Sequence, residues 1–274
     1  MPVTFYPNQR LSVGGTELIL VQSANVDFSI TRQEVFEFGS AFATDYVQTD
    51  AATVALNFEY ALATGAGATS NLNALGLNNI GNIISDSEGK NYVITGAGTL
   101  SVPSGVINSY SVNAAIGAVP TVSIGVAALN ATYSANSAAT AARNSSTIGG
   151  AVTPQIITLK DGSTEMSARN VTLTVDIPRQ YVYKLGSLTP IANITNGAAK
   201  VTVESEIILG VDPTDIDSDA TKTLNIAIGG SNSYTANNMK LVSFNTRATT
   251  NEVYVATCRW EGIIKSSADL TLGG

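Results

Sequence analysis

Asp215, Asp217 and Asp219, in the stretch VDPTDIDSDATK, are the side chains whose spacing comes nearest to a chemical site. Alternate carboxylates in a DxDxD run supply the early oxygen ligands of a calcium loop. The rest of that loop is missing: Ala220 stands where it needs a turning glycine, and position twelve is Ile226 rather than a bidentate glutamate. A solvated acidic loop is the better reading of these three metal candidates. The chain has no histidine, which removes Ser-His-Asp and Cys-His nucleophile systems and any His-ligated metal. The other acidic residues fall singly along the chain, without the local pairing of a general acid and base. ATGAGATS, Ala63–Ser70, lacks the Lys of a phosphate loop and reads as a flexible turn. Cys258, the one cysteine, sits on the alternation of VYVATCRWEG and reads as a packed core thiol, with Trp260 beside it as core or subunit contact. No catalytic residue and no cofactor is expected, so the chain reads as something other than an enzyme.

Composition points the same way. The 274 residues carry 14 Lys and Arg against 21 Asp and Glu, a formal charge of −7, which argues against general affinity for nucleic acid or an anionic membrane. Residues 1–130 hold 3 basic and 9 acidic side chains, and 131–274 hold 11 and 12, so the first half carries most of the negative field. Charged residues make up 13% of the chain, about half the usual fraction, a surface suited to burial against other subunits. The start, MPVTFYPNQR, lacks the pattern of a signal peptide, and no run approaches the roughly 18 apolar residues of a membrane helix, so a cytoplasmic protein is expected.

The elements that carry these residues come twice. Aligning Asn25–Thr31 with Asn170–Asp176, and Arg32–Leu62 with Arg179–Leu209 after a two-residue insertion of Ile177 and Pro178, gives 12 identities in 38 positions. Arg32-Gln33 matches Arg179-Gln180, Gly39-Ser40 matches Gly186-Ser187, and Glu59 matches Glu206. The apolar rhythm agrees too. Val26, Phe28 and Ile30 alternate with polar residues, as do Val171, Leu173 and Val175; Val54, Leu56, Phe58, Tyr60 and Leu62 are echoed by Val201, Val203, Ile207 and Leu209. Period two means strands with one buried face. A third match sets Ser109–Leu129 on Ser243–Gly262, each as two strands about a turn. Ser70–Ser85 has the spacing of a short helix, with Leu72, Leu75, Leu77, Ile80 and Ile83 or Ile84 on one side, and no counterpart in the second copy. The expected organisation is a first domain over 1–130, an Ala/Ser/Asn-rich linker over 131–153 and a second domain over 154–274.

The phrases ANVDFSITRQEVFEFG, AATVALNFEYAL and GVINSYSVNAAIGAVPTVSIGVAAL resemble the tail tube proteins, or major tail proteins, of tailed bacteriophages. The resemblance covers most of residues 10–130 and, more faintly, 155–265. It implies a mainly β fold of two tandem, homologous antiparallel sandwich- or barrel-like tube domains, the first with a short flanking helix. It also implies a structural virion protein whose chains form homotrimeric, pseudo-hexameric rings. Stacked rings would make the conduit for DNA ejection in the virion tail, assembled in the host's cytoplasm. The implied partners are other copies of the chain, tail terminator, baseplate and tape-measure proteins, and passing phage DNA held without sequence specificity; no membrane is implied. Two copies per chain would fill two neighbouring ring positions, so that three chains close the ring. A trimeric baseplate hub built on the same domain, or a β-sandwich adhesin or carbohydrate-binding module, remains an alternative. A DNA conduit should not hold phosphates, so its wall should be acidic to neutral. The polar strand faces offer Asp27, Glu37, Asn57, Glu59, Asp176, Lys184, Glu204 and Glu206 as lumen-facing candidates, with ordinary outer-surface exposure as the other reading of each.

Overall fold

The computed structural model describes residues 9–39, 41–64, 66–96, 98–135, 151–152, 157–188, 190–208, 220–229, 232–247 and 254–272. Strands dominate, and every strand pairing among the described residues is antiparallel. In chain order they are β1 (Arg10–Val13), β2 (Thr16–Glu17), β3 (Val21–Ser29), β4 (Arg32–Phe36), β5 (Ala43–Gln48), β6 (Thr53–Ala61), β7 (Lys90–Thr95), β8 (Gly98–Ala115), β9 (Thr121–Ala128) and β10 (Thr132–Ala135). There follow β11 (Ile157–Asp161), β12 (Thr164–Met166), β13 (Ala168–Asp176), β14 (Arg179–Tyr183), β15 (Pro190–Thr195), β16 (Ala199–Ile208), β17 (Lys222–Ile228), β18 (Asn232–Arg247), β19 (Val255–Ile264) and β20 (Leu270–Leu272). Two helices, α1 (Ala66–Leu75) and α2 (Ile80–Ser85), lie between β6 and β7.

Eight strands make a central sheet in the order β3-β6-β9-β8-β13-β16-β19-β18. Alternation fixes its two faces. Val54, Leu56, Phe58 and Tyr60, then Val122, Ile124 and Val126, then Val171, Leu173 and Val175, then Val201, Val203 and Ile207 are all buried on one side. That side is covered by two smaller sheets, β2-β1-β7-β8-β10 and β12-β11-β17-β18-β20. Phe58 of the central sheet meets Tyr92 of the first outer sheet with ring centroids 6.1 Å apart, and the apolar cluster runs without a break through both halves.

β8 and β18 belong to both layers, because each bends midway. The bends fall at Ser104 and Asn238, which have φ of 51° and 59°, an uncommon conformation for residues other than glycine. Beyond each bend the ladder is shifted again, between Ile107 and Ser109 in β8 and between Leu241 and Ser243 in β18. The pairings of β1–β10 recur ten strands on: β1–β2, β1–β7, β3–β6, β4–β5, β6–β9, β7–β8, β8–β9 and β8–β10 all have counterparts among β11–β20. Among the described residues only the β8–β13 ladder joins the two sets.

The ladders also correct the sequence alignment. Phe28 faces Val54 and Val175 faces Val201, so positions in β3 and β13 differ by the same 147 residues as those in β6 and β16. No insertion separates the strand from its hairpin; Thr49 N–H donates to Thr31 C=O as Asn196 N–H donates to Pro178 C=O. The two-residue slip preserves parity, which is why the alternation looked right with the insertion in place.

The helix expected over Ser70–Ser85 is two helices. α1 starts inside the glycine-rich stretch expected to be a turn, and it stops before Gly76, whose φ of 75° suits a residue ending a helix. Asn79 then caps α2, its Oδ1 accepting from Gly81 N–H at 2.9 Å. Leu72, Leu75, Leu77, Ile80 and Ile83 are buried as expected. Asn71 is buried among them, its amide bonded to both N–H and C=O of Ile19 at 2.9 and 3.0 Å, which ties α1 to the start of β3.

The linker expected over 131–153 begins later than its composition implies. Thr132–Ala135 is β10, paired to the outer half of β8, whose backbone edge needs a partner whatever the size of the side chains. At its far end Val152 is buried and its N–H donates to Leu62 C=O at 2.8 Å.

Candidate functional site

The uncovered face of the central sheet carries hydroxyls, amides and charges in place of the apolar rows. Asp27 on β3, Asn57 and Glu59 on β6, Asp176 on β13, and Glu204 and Glu206 on β16 all project there, as their ladder partners require. Sequence alternation is enough to bring these six candidates to one surface. Glu37 and Lys184 do not belong to it. They follow β4 and β14, in the turns of the separate two-stranded hairpins β4–β5 and β14–β15.

The same face holds residues that were not singled out: Ser109, Ser111 and Asn113 of β8, Ser123 of β9, Thr172 and Thr174 of β13, and Lys200, Arg259 and Glu261. Their signal was present in the alternation of each strand with Tyr110, Val112, Leu173 and Trp260.

Hydrogen bonds link neighbouring strands along the polar rows of the face. Ser123 Oγ donates to Glu59 at 3.3 Å, and Ser111 Oγ meets Thr174 Oγ1 at 3.2 Å across the β8–β13 joint. Glu206 N–H donates to Asn170 Oδ1 at 2.9 Å, and Ser205, buried on the opposite face, donates to Asn170 C=O at 2.7 Å. Charge differs between the halves. On β6, β9 and β8 the only charged group of the face is Glu59, whereas Arg259 lies between Glu204 at 3.5 Å and Glu261 at 2.7 Å, and Arg169 is 3.5 Å from Glu206. These pairs are substantially exposed, so each contributes little to stability, but they neutralise the second half locally.

The remaining sequence candidates resolve simply. Asp215, Asp217 and Asp219 lie outside the described residues. Among the described residues no group of three or more His, Cys, Asp or Glu side chains could hold a metal ion. Cys258 is fully buried, and burial pushes its thiol up to about 11, away from thiolate chemistry at neutral pH. Trp260 is buried as well. No helix among the described residues is long and apolar enough to cross a membrane.

The sheet also has two open ends. β3 pairs only with β6, and the inner half of β18 pairs only with β19 among the described residues. Val26 and Phe28, both expected to face a core, differ: Val26 is half-buried against its margin, whereas Phe28 is 50% exposed, and Phe244 on β18 is 38% exposed. Edge strands with bare apolar side chains are templates for another chain. Set against known proteins, the chain matches no protein-family model and no curated protein.

Proposed function

We propose that the chain is a non-catalytic structural protein, a duplicated tail tube protein whose copies join edge to edge into a ring around a DNA conduit. The observation that carries this reading is the β8–β13 joint, because it is a completed version of the contact that β18 and β3 lack. Inside the chain Asp176 faces Ser109, Val175 faces Tyr110, and Thr174 faces Ser111. Carried to a neighbouring copy through the two ladder offsets, the same register sets Ser29 against Ser243, Phe28 against Phe244, Asp27 against Asn245 and Val26 against Thr246. The two exposed phenylalanines then cover each other, on the side where Val175 and Tyr110 are buried.

Each copy contributes eight strands to such a ring, and the resemblance to fused double-domain tubes supplies the number three. Barrels of 16–18 strands already leave an aqueous channel, so a ring of three copies is wider still. Its inner wall would be the polar face described above. Serine, threonine and asparagine offer the backbone of DNA no cation to replace its counterions, and the basic side chains there are matched by carboxylates. The two domains of this reading end at Ala135 and begin near Val152, with the intervening residues as connection.

Electron microscopy of the purified protein tests the proposal. Threefold rings or stacked tubes with an open centre are expected; a monodisperse monomer at high concentration would refute it.

A further inference from the structure

The two hairpins have the same construction and different surroundings. In both, the ladder shifts at the end of the first strand, between Val35 and Phe36 and between Val182 and Tyr183. β14–β15 is seated on the first half of the chain by Arg179 and Thr195, with Arg179 making most of the bonds. The Arg179 guanidinium donates to the carbonyls of Asp86 at 2.9 Å, Ile84 at 3.3 Å and Ile83, at the C-terminal end of α2, and its Nε donates to Ile107 C=O of β8 at 3.2 Å. Burial lowers the pKa of this arginine, with Asp86 opposing the shift. Beside it, Ile177 N–H donates to Asn108 C=O at 2.8 Å, and Thr195 Oγ1 to Ile84 C=O at 2.5 Å.

Arg32 opens β4 as Arg179 opens β14, facing Gln48 where Arg179 faces Thr195. It is exposed, and its guanidinium makes no hydrogen bond or ion pair among the described residues. Around it Val35, Phe36, Tyr46 and Val47 are exposed. The position corresponding to Ile107 is Leu241, which precedes the same ladder shift in β18, and Val242 beside it is exposed.

We infer that the β4–β5 hairpin is a docking arm for a second copy of this chain, with Arg32 as its anchor. Arg32 Nε donates to the neighbour's Leu241 carbonyl, and Ile30 N–H donates to the neighbour's Val242 carbonyl, as Arg179 and Ile177 do toward Ile107 and Asn108. The inference rests on the ring reading above and adds to it a polar contact outside the strand ladder. Of the carbonyls that hold Arg179, that of Ile107 is the one with a described counterpart, Leu241, since Ile83, Ile84 and Asp86 belong to the end of α2.

The test compares Arg32→Ala and Arg32→Lys with the unaltered full-length chain, by sedimentation across a concentration series and by thermal unfolding of dilute, dissociated protein. Arg32→Ala should leave the dilute melting temperature unchanged and raise the concentration for half-assembly at least tenfold, with Arg32→Lys recovering only part of the loss. Hydrogen exchange on the unaltered chain should show the Ile30 amide protected only in the assembly. Assembly of Arg32→Ala at the unaltered concentration, or an Ile30 amide that exchanges equally fast in both states, overturns the docking arm while the ring stands. An unaltered chain that stays monomeric overturns both.

Discussion

The β14–β15 hairpin rests on α2 and β8; the β4–β5 hairpin, with the same ladder and the same opening arginine, reaches into solvent. The same contrast holds for strands: β13 lies between β8 and β16, and among the described residues β3 has a partner on one side only. Sequence similarity between two parts of a chain therefore does not mean similar surroundings. Two residues that the second half uses to hold the first have exposed counterparts in the first half. Phe28 is exposed where Val175 is buried, and Arg32 is free of the contacts that Arg179 makes. One joint is made within the chain, and in the proposed ring the other is made with a neighbouring copy.

The largest expected effect comes from breaking the open edge. Phe28→Asp places a charge on a side chain that is already half in solvent, so the isolated chain should fold as before. In an assembly that charge would be buried against Phe244 without a partner, which is strongly unfavourable. Sedimentation should report complete loss of oligomers with unchanged circular dichroism.

Breaking the closed joint should act on folding instead. Arg179→Ala leaves several carbonyls at the end of α2 and on β8 without their charged donor, at a cost of about 2–4 kcal/mol. Urea unfolding would read it as a lower midpoint. Equal destabilisation by Arg32→Ala would mean that the two hairpins are not a made and an unmade version of one contact.

A smaller effect is expected at Asp269, which belongs to the second half alone. Its carboxylate accepts from Lys265 and Ser266 N–H at 2.8 and 2.7 Å and from Asn238 Nδ2 at 2.7 Å, fixing the bend of β18. The Lys265 amide is the chief cause of its lowered pKa, helped by Ser266 and Asn238 and opposed by burial. A depressed folded pKa contributes stability above the unfolded value, about 3.9, and that contribution is lost as pH falls through the folded value. Asp269→Asn should therefore cost about 1–2 kcal/mol at pH 7, and the difference from the unaltered chain should shrink below about pH 4.

The smallest effect is expected at the hairpin tips. Phe38 and Leu185 are 106% and 102% exposed, each followed by a glycine with positive φ, Gly39 at 89° and Gly186 at 82°. Serine at either position should change the stability of the dissociated chain by no more than about 0.5 kcal/mol. The glycines explain one matched dipeptide of the sequence: Gly-Ser recurs because the turn needs a residue that tolerates a left-handed conformation.

How much of this was legible in the sequence depended on burial. Strands β6 and β16, and the residues of α1 and α2, could be read because each has one face in the core and a clean period. Asp27, Asn57, Glu59, Asp176, Glu204 and Glu206 followed from the same alternation, although their common surface is polar rather than simply acidic. The short strands β1, β2, β11, β12 and β20 escaped notice, being too short to establish a period. The bend at Ser104 is announced by Pro103 and Gly105 on either side of it, a turn signal that the strand alternation hid, whereas Asn238, between Asn237 and Met239, has neither glycine nor proline beside it. Glu37 and Lys184 were misplaced because a polar residue after a strand looks the same in a hairpin as in a sheet. The exposure of Phe28 could not be read at all, since alternation tells which face is apolar and not whether anything within the chain covers it.

A disulfide scan of the open edges addresses the ring most directly. In a chain bearing Phe28→Cys and Phe244→Cys, directly opposed antiparallel positions lie about 4.5–5.5 Å apart between Cα atoms, within reach of a disulfide, while Cys258 remains buried. Mild oxidation of assembled protein should give covalent dimers and a closed trimer on non-reducing gels, and neither single variant should do so beyond background. Oxidation that leaves the double variant monomeric in assemblies still visible by microscopy would contradict the β3–β18 joint, and with it the register carried over from β8 and β13.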